Sequence, residues 1–508
     1  MEIDLDRGKP LADQIVGQMM GAIAAGEVAP GTRLPSIRAL ATRLGVNRNT
    51  VAHAIRELAE KGYVRTRYGG GSVATLPPRV PLPRIPEELA LPRAAAFGEA
   101  DWEQRFARRL DGFLAGAGTP LFPSGNGNPI NLYQLRPDTA LFPLEKFRQC
   151  LNTVLRRSGS SLLNYGTPAG YLPLREQIAR RLRAAGIAAE PSQVLVVSGS
   201  QQGIDLLARA FLDDGDRVVV ESPTYSIALK IFSVHGARPT PYRVNRDGID
   251  FSALGQLGRQ QAPKLFYTVP NFQNPTTHSY TLEEKGRLLE EAYRLGSVVV
   301  EDASDHDLHG DPSHWPPLAA LDQTGRTVHL NTFSKTLVPA LRVGYLCAPP
   351  SLARRLAELK EMTDLSQSLV LQGAIAEFME RGHFDEHVET VRRATRAQMA
   401  RVLELLEIAL PPEAPFTRPE GGLCVWVDLP GHVDTDRLFE HLRGRGLLVS
   451  PGSLYRSGPG GRNGIRLCVA NEPLERLREG FNILGRELEH VLRQPPPTPA
   501  EQEYQPIH

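Results

Sequence analysis

Leu11, Ile15, Met19 and Ile23 recur at every fourth position, the spacing that lines one face of a helix, and Gly26 and Pro30-Gly31 end that helix. In the following segment, LPSIRALATRLGVNRNTVAHAIRELAEKGYV, Ser36 is placed to cap a helix carrying Ile37, Leu40 and Leu44. Gly45 makes a turn, Asn47 can cap a second helix with the apolar face Val51, Ile55 and Leu58, and Gly62 stops it. Two short extended pieces, 63–67 and 72–75, flank Gly69-Gly70-Gly71, which reads as a hairpin tip. From 129 to 490 the pattern changes. VLVVSG (194–199), RVVVES (217–222), LFYTVP (265–270), SVVVED (297–302), TVHLNTF (327–333) and GYLCAP (344–349) are short, almost wholly apolar runs, several of them separated by helical stretches. Such runs predict a buried, mostly parallel sheet with helices on both faces. After about 390 the order helix, strand, helix predicts a smaller second subdomain.

Between these regions lie Pro77, Pro78, Pro81, Pro83, Pro86 and Pro92, which mark an extended linker. Trp102, Phe106 and Leu110 within the same stretch have the spacing of one amphipathic helix. The tail from Gln494 is expected to be disordered.

Length and composition narrow the class. The chain has 508 residues, 41% hydrophobic and 23% charged, which fits a globular chain of about three domains. No apolar run approaches the roughly 18 residues of a membrane helix, and MEIDLDRGKP does not read as a signal peptide. Cys150, Cys347, Cys424 and Cys468 are far apart, with no CxxC pair, which points to a reducing cytoplasm and away from a disulfide framework or a zinc site. The net charge of +1 hides a local excess: residues 33–67 hold eight Lys or Arg against two Glu, a balance of +6. Clustered positive charge on a small helical module is the footprint of a phosphate backbone, although a solvated face on a protein-interaction module would carry similar charge.

The order helix, helix, tight turn, helix, wing is that of a winged helix-turn-helix. Through PGTRLPSIRALATRLGVNRNTVAHAIRELAEKGYV it resembles the GntR-type DNA-binding domain. The resemblance implies that Arg38, Asn47, Arg48, Asn49 and Thr50 face DNA. Four of these cluster at the start of the second helix of the pair, where side chains enter the major groove and Arg48 can bond guanine.

Further along, a set of motifs carries chemistry. TFSKTLVPALRVGY (332–345) places a Ser-Lys pair after a strand with Arg342 seven residues beyond Lys335. Lysine forms a Schiff base with an aldehyde, and arginine offers a fork for phosphate, though a lone Ser-Lys pair is more often an ordinary surface feature. SGSQQG (198–203) follows a strand and opens a helix, where N–H groups can meet a phosphate. Asp302 ends a strand where an acid can pair with a pyridinium nitrogen, or serve as a cap or ion-pair partner. Asn274-Pro275 can present an amide to a phenolic oxygen, or be a plain turn. Tyr225 can stack on an aromatic ring or fill core, and Arg466, inside an apolar strand, needs either a ligand carboxylate or a buried partner.

The order of these pieces resembles fold type I pyridoxal-phosphate aminotransferases from about 129 to 490. Together with the winged helix and the proline-rich linker, nearly the whole chain resembles the MocR/GabR-type bacterial transcription regulators. The resemblance implies an α/β fold: a winged helix-turn-helix at 1–76, a linker with one amphipathic helix at 77–128, an aminotransferase-like domain with a mostly parallel sheet and a smaller α/β subdomain at 129–493, and a disordered tail at 494–508. It implies Lys335 as the Schiff-base lysine for pyridoxal 5'-phosphate. Asp302 is implied at the pyridine nitrogen, Asn274 at the ring hydroxyl and Tyr225 stacked on the ring. Ser200, Gln201, Thr332, Ser334 and Arg342 are implied at the phosphate, Tyr165 at the phosphate of a partner subunit, and Arg466 at a ligand carboxylate. No metal is implied. The implied partners are operator DNA and an amine or amino-acid-like effector, or the cofactor itself. A cytoplasmic, nucleoid-associated, head-to-tail homodimer is also implied.

Three positions depart from the family pattern. Ser304 stands where a tyrosine helps bind the ring hydroxyl, Thr277 where Asn-Pro-Thr-Gly has its glycine, and Leu135 where a glycine precedes Pro137-Asp138 near the ligand. These departures favour a sensor over an efficient catalyst. The alternatives are a working aminotransferase with an appended DNA-binding domain, and a degenerate domain kept for dimerisation.

Overall fold

A computed structural model describes residues 3, 5–6, 8, 10–24, 28–29, 31–67, 71–75, 105–107, 110, 128–245, 248–256, 262–308, 315–419, 421–457 and 463–493. The chain forms two compact units, Met1–Gln104 and Arg105–His508. The tail at 494–508, most of the linker helix expected around Trp102 and most of the hairpin tip lie outside the described residues.

In the first unit, α1 (Leu11–Ala24), α2 (Ile37–Leu44) and α3 (Arg48–Glu60) are followed by the antiparallel pair β1 (Val64–Arg67) and β2 (Gly71–Ala74). The expected caps are in place. Ser36 Oγ accepts from the Ala39 N–H at 3.1 Å, and Asn47 Oδ1 accepts from the Asn49 N–H at 2.9 Å. Each satisfies a helix-end donor and contributes about 1 kcal/mol. Gly45 ends α2 in the left-handed region at φ 61°, a conformation that glycine adopts without cost. Ile15, Met19, Leu40, Val51, Ile55, Leu58 and Val64 close one small core.

The second unit begins with β3 (Ile130–Asn131). Its main sheet contains β4 (Val194–Val197), β5 (Arg217–Ser222), β6 (Arg238–Asn245), β7 (Gly248–Asp250), β8 (Leu265–Thr268), β9 (Val298–Asp302), β10 (Thr327–Thr332) and β11 (Gly344–Cys347). Their order is β4-β11-β10-β9-β8-β5-β6-β7. The steps from β10 to β6 are parallel, whereas β11 runs antiparallel to both β10 and β4. Consequently β4, β5, β8, β9 and β10 all point the same way, and their C-terminal ends share one edge.

Both faces of the sheet are covered. Val194 and Val196 pack with Ile178 and Phe378, from helices Leu172–Ala184 and Leu369–Glu380. Leu195 and Val197 pack with Leu207 and Phe232, from helices Ser200–Phe211 and Ser226–Val234. Each fully buried aliphatic side chain contributes roughly 1.5–3 kcal/mol, which is why these strands read as unbroken apolar runs.

All six expected strands are present. The sequence did not betray β6 (RPTPYRVN), whose prolines and arginines look like a loop. Pro239 and Pro241 lie opposite Val218 and Val220 of β5, in the part of β6 that precedes its pairing with β7 at Arg243–Asn245, where one side of the strand is a sheet edge that tolerates a missing N–H.

The smaller subdomain joins helix His383–Ala409 to β12 (Cys424–Asp428), β13 (Leu447–Leu448), β14 (Ser450–Pro451), β15 (Gly464–Cys468) and helix Leu474–Leu492. In register, Cys424 opposes Cys468 and Trp426 opposes Arg466. Val425, Val427, Ile465 and Leu467 fill the subdomain core. Alternation therefore turns Cys424, Trp426, Arg466 and Cys468 to the other face.

Candidate cofactor site and nucleic-acid interface

The shared C-terminal edge of the parallel strands is where an open α/β sheet presents loops to a ligand. Five strand ends deliver the expected groups there. β10 ends at Thr332 and leads into the turn with Lys335, and β9 ends at buried Asp302. β8 leads to Asn274, β4 leads through Gly199 to Ser200 and Gln201 at the start of a 12-residue helix, and β5 leads to Tyr225.

Lys335 Nζ donates to the Leu135 carbonyl at 2.5 Å. Burial pushes the ammonium below its ordinary range, opposed by the charge of Asp305. An amine that loses its proton more easily is a better nucleophile. Asp302 moves in the opposite sense: burial raises its carboxyl, and hydrogen bonds from Ser304 Oγ (2.5 Å), the Ser304 N–H (3.1 Å) and Tyr267 OH (2.8 Å) restrain it. Ser304, standing where the family pattern has tyrosine, therefore bonds to the carboxylate.

Arg466 is buried. Its Nη1 donates to Asn274 Oδ1 at 2.9 Å, its Nη2 donates to the Tyr133 carbonyl at 2.7 Å, and its guanidinium lies 5.3 Å from the Tyr455 ring centroid. Arg466 Nε is buried with no hydrogen-bond partner among the described residues. Tyr225 lies beside Gln201, whose Nε2 donates to its hydroxyl at 3.4 Å, and burial lifts the phenol to about 12.

A cradle forms beside the helix that starts at Ser200. Gly199 has φ 78° and ψ 171°, a conformation nearly restricted to glycine. A Cβ there would fall 2.8 Å from an Arg342 guanidinium nitrogen. Arg342 donates to the Ser198 carbonyl at 3.0 Å, and Thr332 Oγ1 donates to Ser334 Oγ at 3.0 Å. Free helix N–H groups, two hydroxyls and a guanidinium make a donor set suited to a phosphate dianion.

Two other departures have visible consequences. Thr277 holds φ 61°, the left-handed conformation that glycine would adopt without strain, and its hydroxyl donates to Thr417 Oγ1 at 2.9 Å. Leu135 packs its side chain beside Phe272 and Leu423 and offers its carbonyl to Lys335. Tyr165 stands apart from these groups and is 80% exposed.

Several residues of the site escaped sequence reasoning. Asp305 is a second buried carboxylate within charge range of Lys335, Tyr267 is a phenol bonded to Asp302, and the Tyr133 carbonyl holds Arg466. The only sequence signal was the density of acids in EDASDHD.

In the first unit, Arg38, Asn47, Arg48 and Asn49 are exposed and Thr50 is half-buried. The Asn47 side-chain Oδ1 is engaged as the α3 cap, which leaves its Nδ2 for other contacts. Among the described residues no helix is long and apolar enough to cross a membrane.

Comparison with known proteins places both halves. Residues 117–484 match the family described as aminotransferase class I and II, and residues 11–73 match the bacterial regulatory proteins of the gntR family. The chain is 30% identical over 483 residues to the HTH-type transcriptional regulator YisV of Bacillus subtilis, covering 95% of this chain and 97% of that one. It is 30% identical over 488 residues to the probable rhizopine catabolism regulatory protein MocR of Rhizobium meliloti, covering 95% of this chain and 94% of that one. Among solved structures it is similar to the α-aminoadipate aminotransferase LysN of Thermus thermophilus, complexed with N-(5'-phosphopyridoxyl)-L-leucine. The TM-score is 0.71 at 30% identity, covering 77% of this chain and 99% of that one. Pyridoxal 5'-phosphate is the cofactor this fold implies, and the lysine, the buried acid and the Gly199 cradle fit its aldehyde, ring nitrogen and phosphate. The chain belongs to the class I and II aminotransferase family and, with its gntR-family DNA-binding domain, to the MocR-type transcription regulators.

Proposed function

We propose that this regulator senses pyridoxal 5'-phosphate, or an amino ligand joined to it, at Lys335, and that occupancy changes how its winged helix engages operator DNA. The convergence of five strand ends on Lys335 carries this reading. Bound there, the cofactor supplies an aldehyde that condenses with an amine and a ring that withdraws electrons. Asp302 holds a proton on the ring nitrogen, Asn274 bonds the ring hydroxyl, and Tyr225 covers the ring. Ser200, Gln201, Thr332, Ser334 and Arg342 receive the phosphate. Arg466 takes the carboxylate of an amino-acid-like effector, and its buried, unpartnered Nε favours that role. In the first unit, Arg38, Asn47, Arg48, Asn49 and Thr50 meet DNA.

The functional form is a head-to-tail homodimer in which Tyr165 reaches the partner's phosphate. Tyr165, Leu163 and Leu365 are 80%, 76% and 55% exposed, and the Gly166 N–H bonded to Ser366 Oγ at 3.0 Å brings their segments together. An apolar surface of this kind fits a second copy. Ser304 and Thr277 favour sensing over turnover.

The retained lysine, acid, amide and arginine also support a second reading, a working aminotransferase. Sustained conversion of an amino donor and a 2-oxo acid at rates typical of enzymes would establish it. The site itself is tested by the visible absorbance of the purified protein. Lys335→Ala abolishes the band if Lys335 is the attachment point, and an unchanged band refutes the assignment.

A further inference from the structure

The end of β9 and the turn after it carry four acids, Glu301, Asp302, Asp305 and Asp307, and three of them are satisfied. Glu301 accepts from the Leu318 N–H at 2.6 Å, the Ala319 N–H at 3.1 Å and the His329 ring at 2.9 Å. Asp302 accepts from Ser304 and Tyr267, and Asp307 accepts from Arg181 at 2.7 Å. Asp305 is the exception. It is 6% exposed, and its Oδ1 is buried with no hydrogen-bond partner among the described residues. A buried carboxylate oxygen without a donor is unfavourable and persists where a cation or ligand faces it.

The tight turn holds Asp305 in this position. The His306 N–H donates to the Ala303 carbonyl and the Leu308 N–H to the Asp305 carbonyl, both at 3.0 Å, while His306 and Leu308 are themselves buried. The charges around Asp305 are Lys335 first, then Asp302 and Arg466.

The surroundings of Lys335 can be enumerated in the same way. The groups within charge range of Lys335 are Asp305 in the turn after β9, Arg466 and Cys468 on β15, Cys424 on β12, and Asp302 at the end of β9. Its Nζ bonds to the Leu135 carbonyl, a neutral acceptor. Among these groups Asp305 exerts the strongest charge effect on the lysine, and it opposes both burial and the like charge of Arg466.

We propose that Asp305 is the counter-ion of Lys335, a positioning residue whose carboxylate, with its Oδ1 buried and lacking a donor, holds the proton on the lysine nitrogen when that nitrogen is free. On the functional reading above, an incoming ammonium whose nitrogen takes the place of the lysine nitrogen would pass a proton to the released Lys335, and Asp305 would stabilise the ammonium so formed. It thereby sets the pH range in which an effector can exchange with the lysine. Neither role requires a hydrogen bond between the two in the resting site, because the attraction of opposite charges reaches over several ångströms in a buried site.

The test uses the cofactor-free full-length protein. Acetic anhydride acylates only unprotonated amines, so labelling across pH 6–10 with peptide mass spectrometry reads the protonation of Lys335. Lys146, whose side chain is 49% exposed, serves as the internal reference. Asp305→Asn should lower the Lys335 midpoint by at least one pH unit, seen as roughly tenfold more labelling relative to Lys146 near neutral pH. Asp305→Glu should restore most of the wild-type profile, which a purely structural role would not require. A Lys335 midpoint in Asp305→Asn within 0.3 pH unit of wild type overturns the proposal.

If Asp305→Asn does not fold, the reciprocal measurement decides. Coupling is mutual, so Lys335→Met should raise the titration midpoint of the Asp305 carboxyl carbon, followed by NMR. An unmoved carboxyl midpoint overturns the proposal equally. Both readouts omit the cofactor, so a protein that never acquires a visible band would defeat the functional reading and leave this inference to be decided separately.

Discussion

Replacing Gly199 by alanine attacks the cradle at the point where backbone and side chain are both constrained. At φ 78° and ψ 171° an L-residue is strained by about 1–3 kcal/mol. The new Cβ would also lie 2.8 Å from an Arg342 guanidinium nitrogen, so the arginine must leave its place beside the Ser198 carbonyl. A displaced arginine no longer aims a charge-assisted hydrogen bond at the phosphate, a further loss of roughly 1.5–3 kcal/mol in cofactor binding. Two separable effects are expected. The cofactor-free protein should melt at least about 2 °C lower, and cofactor affinity should fall by roughly ten- to a hundredfold. Scanning fluorimetry without cofactor and absorbance titration with it read the two effects independently. An affinity within twofold of wild type, with an unchanged melting temperature, would refute both the strain and the role of the cradle.

Other outcomes follow from equally local features. Gly286 sits inside helix Leu282–Leu295 with open space where a Cβ would go, so Gly286→Ala should stabilise by about 0.5–1 kcal/mol in urea unfolding. Arg48→Ala, on the exposed start of α3, should weaken operator binding by about 1–3 kcal/mol at fixed salt and leave the visible absorbance intact. Burial holds the His306 ring near 4 instead of its ordinary 6.5. The unfolded chain therefore binds the extra proton first, and stability is lost as pH falls from about 6.5 towards 4. His306 alone accounts for roughly 3 kcal/mol of that loss. The raised carboxyls of Asp302 and Asp305 act in the opposite sense over part of the range. His306→Gln should accordingly flatten the acid limb of the urea midpoint plotted against pH.

The parts of the protein readable from sequence are those specified by local rules. Ser36 and Asn47 announce helix starts because a short polar side chain caps the backbone that follows, and both caps form. The six apolar strands are visible because burial on both faces removes alternation. β6 was hidden because its prolines obey an edge rule that depends on which neighbour it acquires. The position of Lys335 was legible from its motif, but its surroundings were not. Leu135 lies 200 residues away, and Arg466 meets Asn274 across 192 residues, so neither contact leaves a periodic signature. Asp305 looked like its acidic neighbours until the hydrogen bonds of Glu301, Asp302 and Asp307 singled it out.

The central claim is that the site around Lys335 governs DNA binding, and a gel-shift titration on DNA upstream of the protein's own gene tests it most directly. The protein is stripped of pyridoxal 5'-phosphate and then reloaded at fixed salt, with and without a panel of amines, because affinity depends steeply on salt. The prediction is that cofactor, or cofactor with one amine, changes the affinity or the shifted pattern at least fivefold, and that Lys335→Ala binds DNA but no longer responds. Identical binding in every state, with Lys335→Ala indistinguishable from wild type, contradicts it.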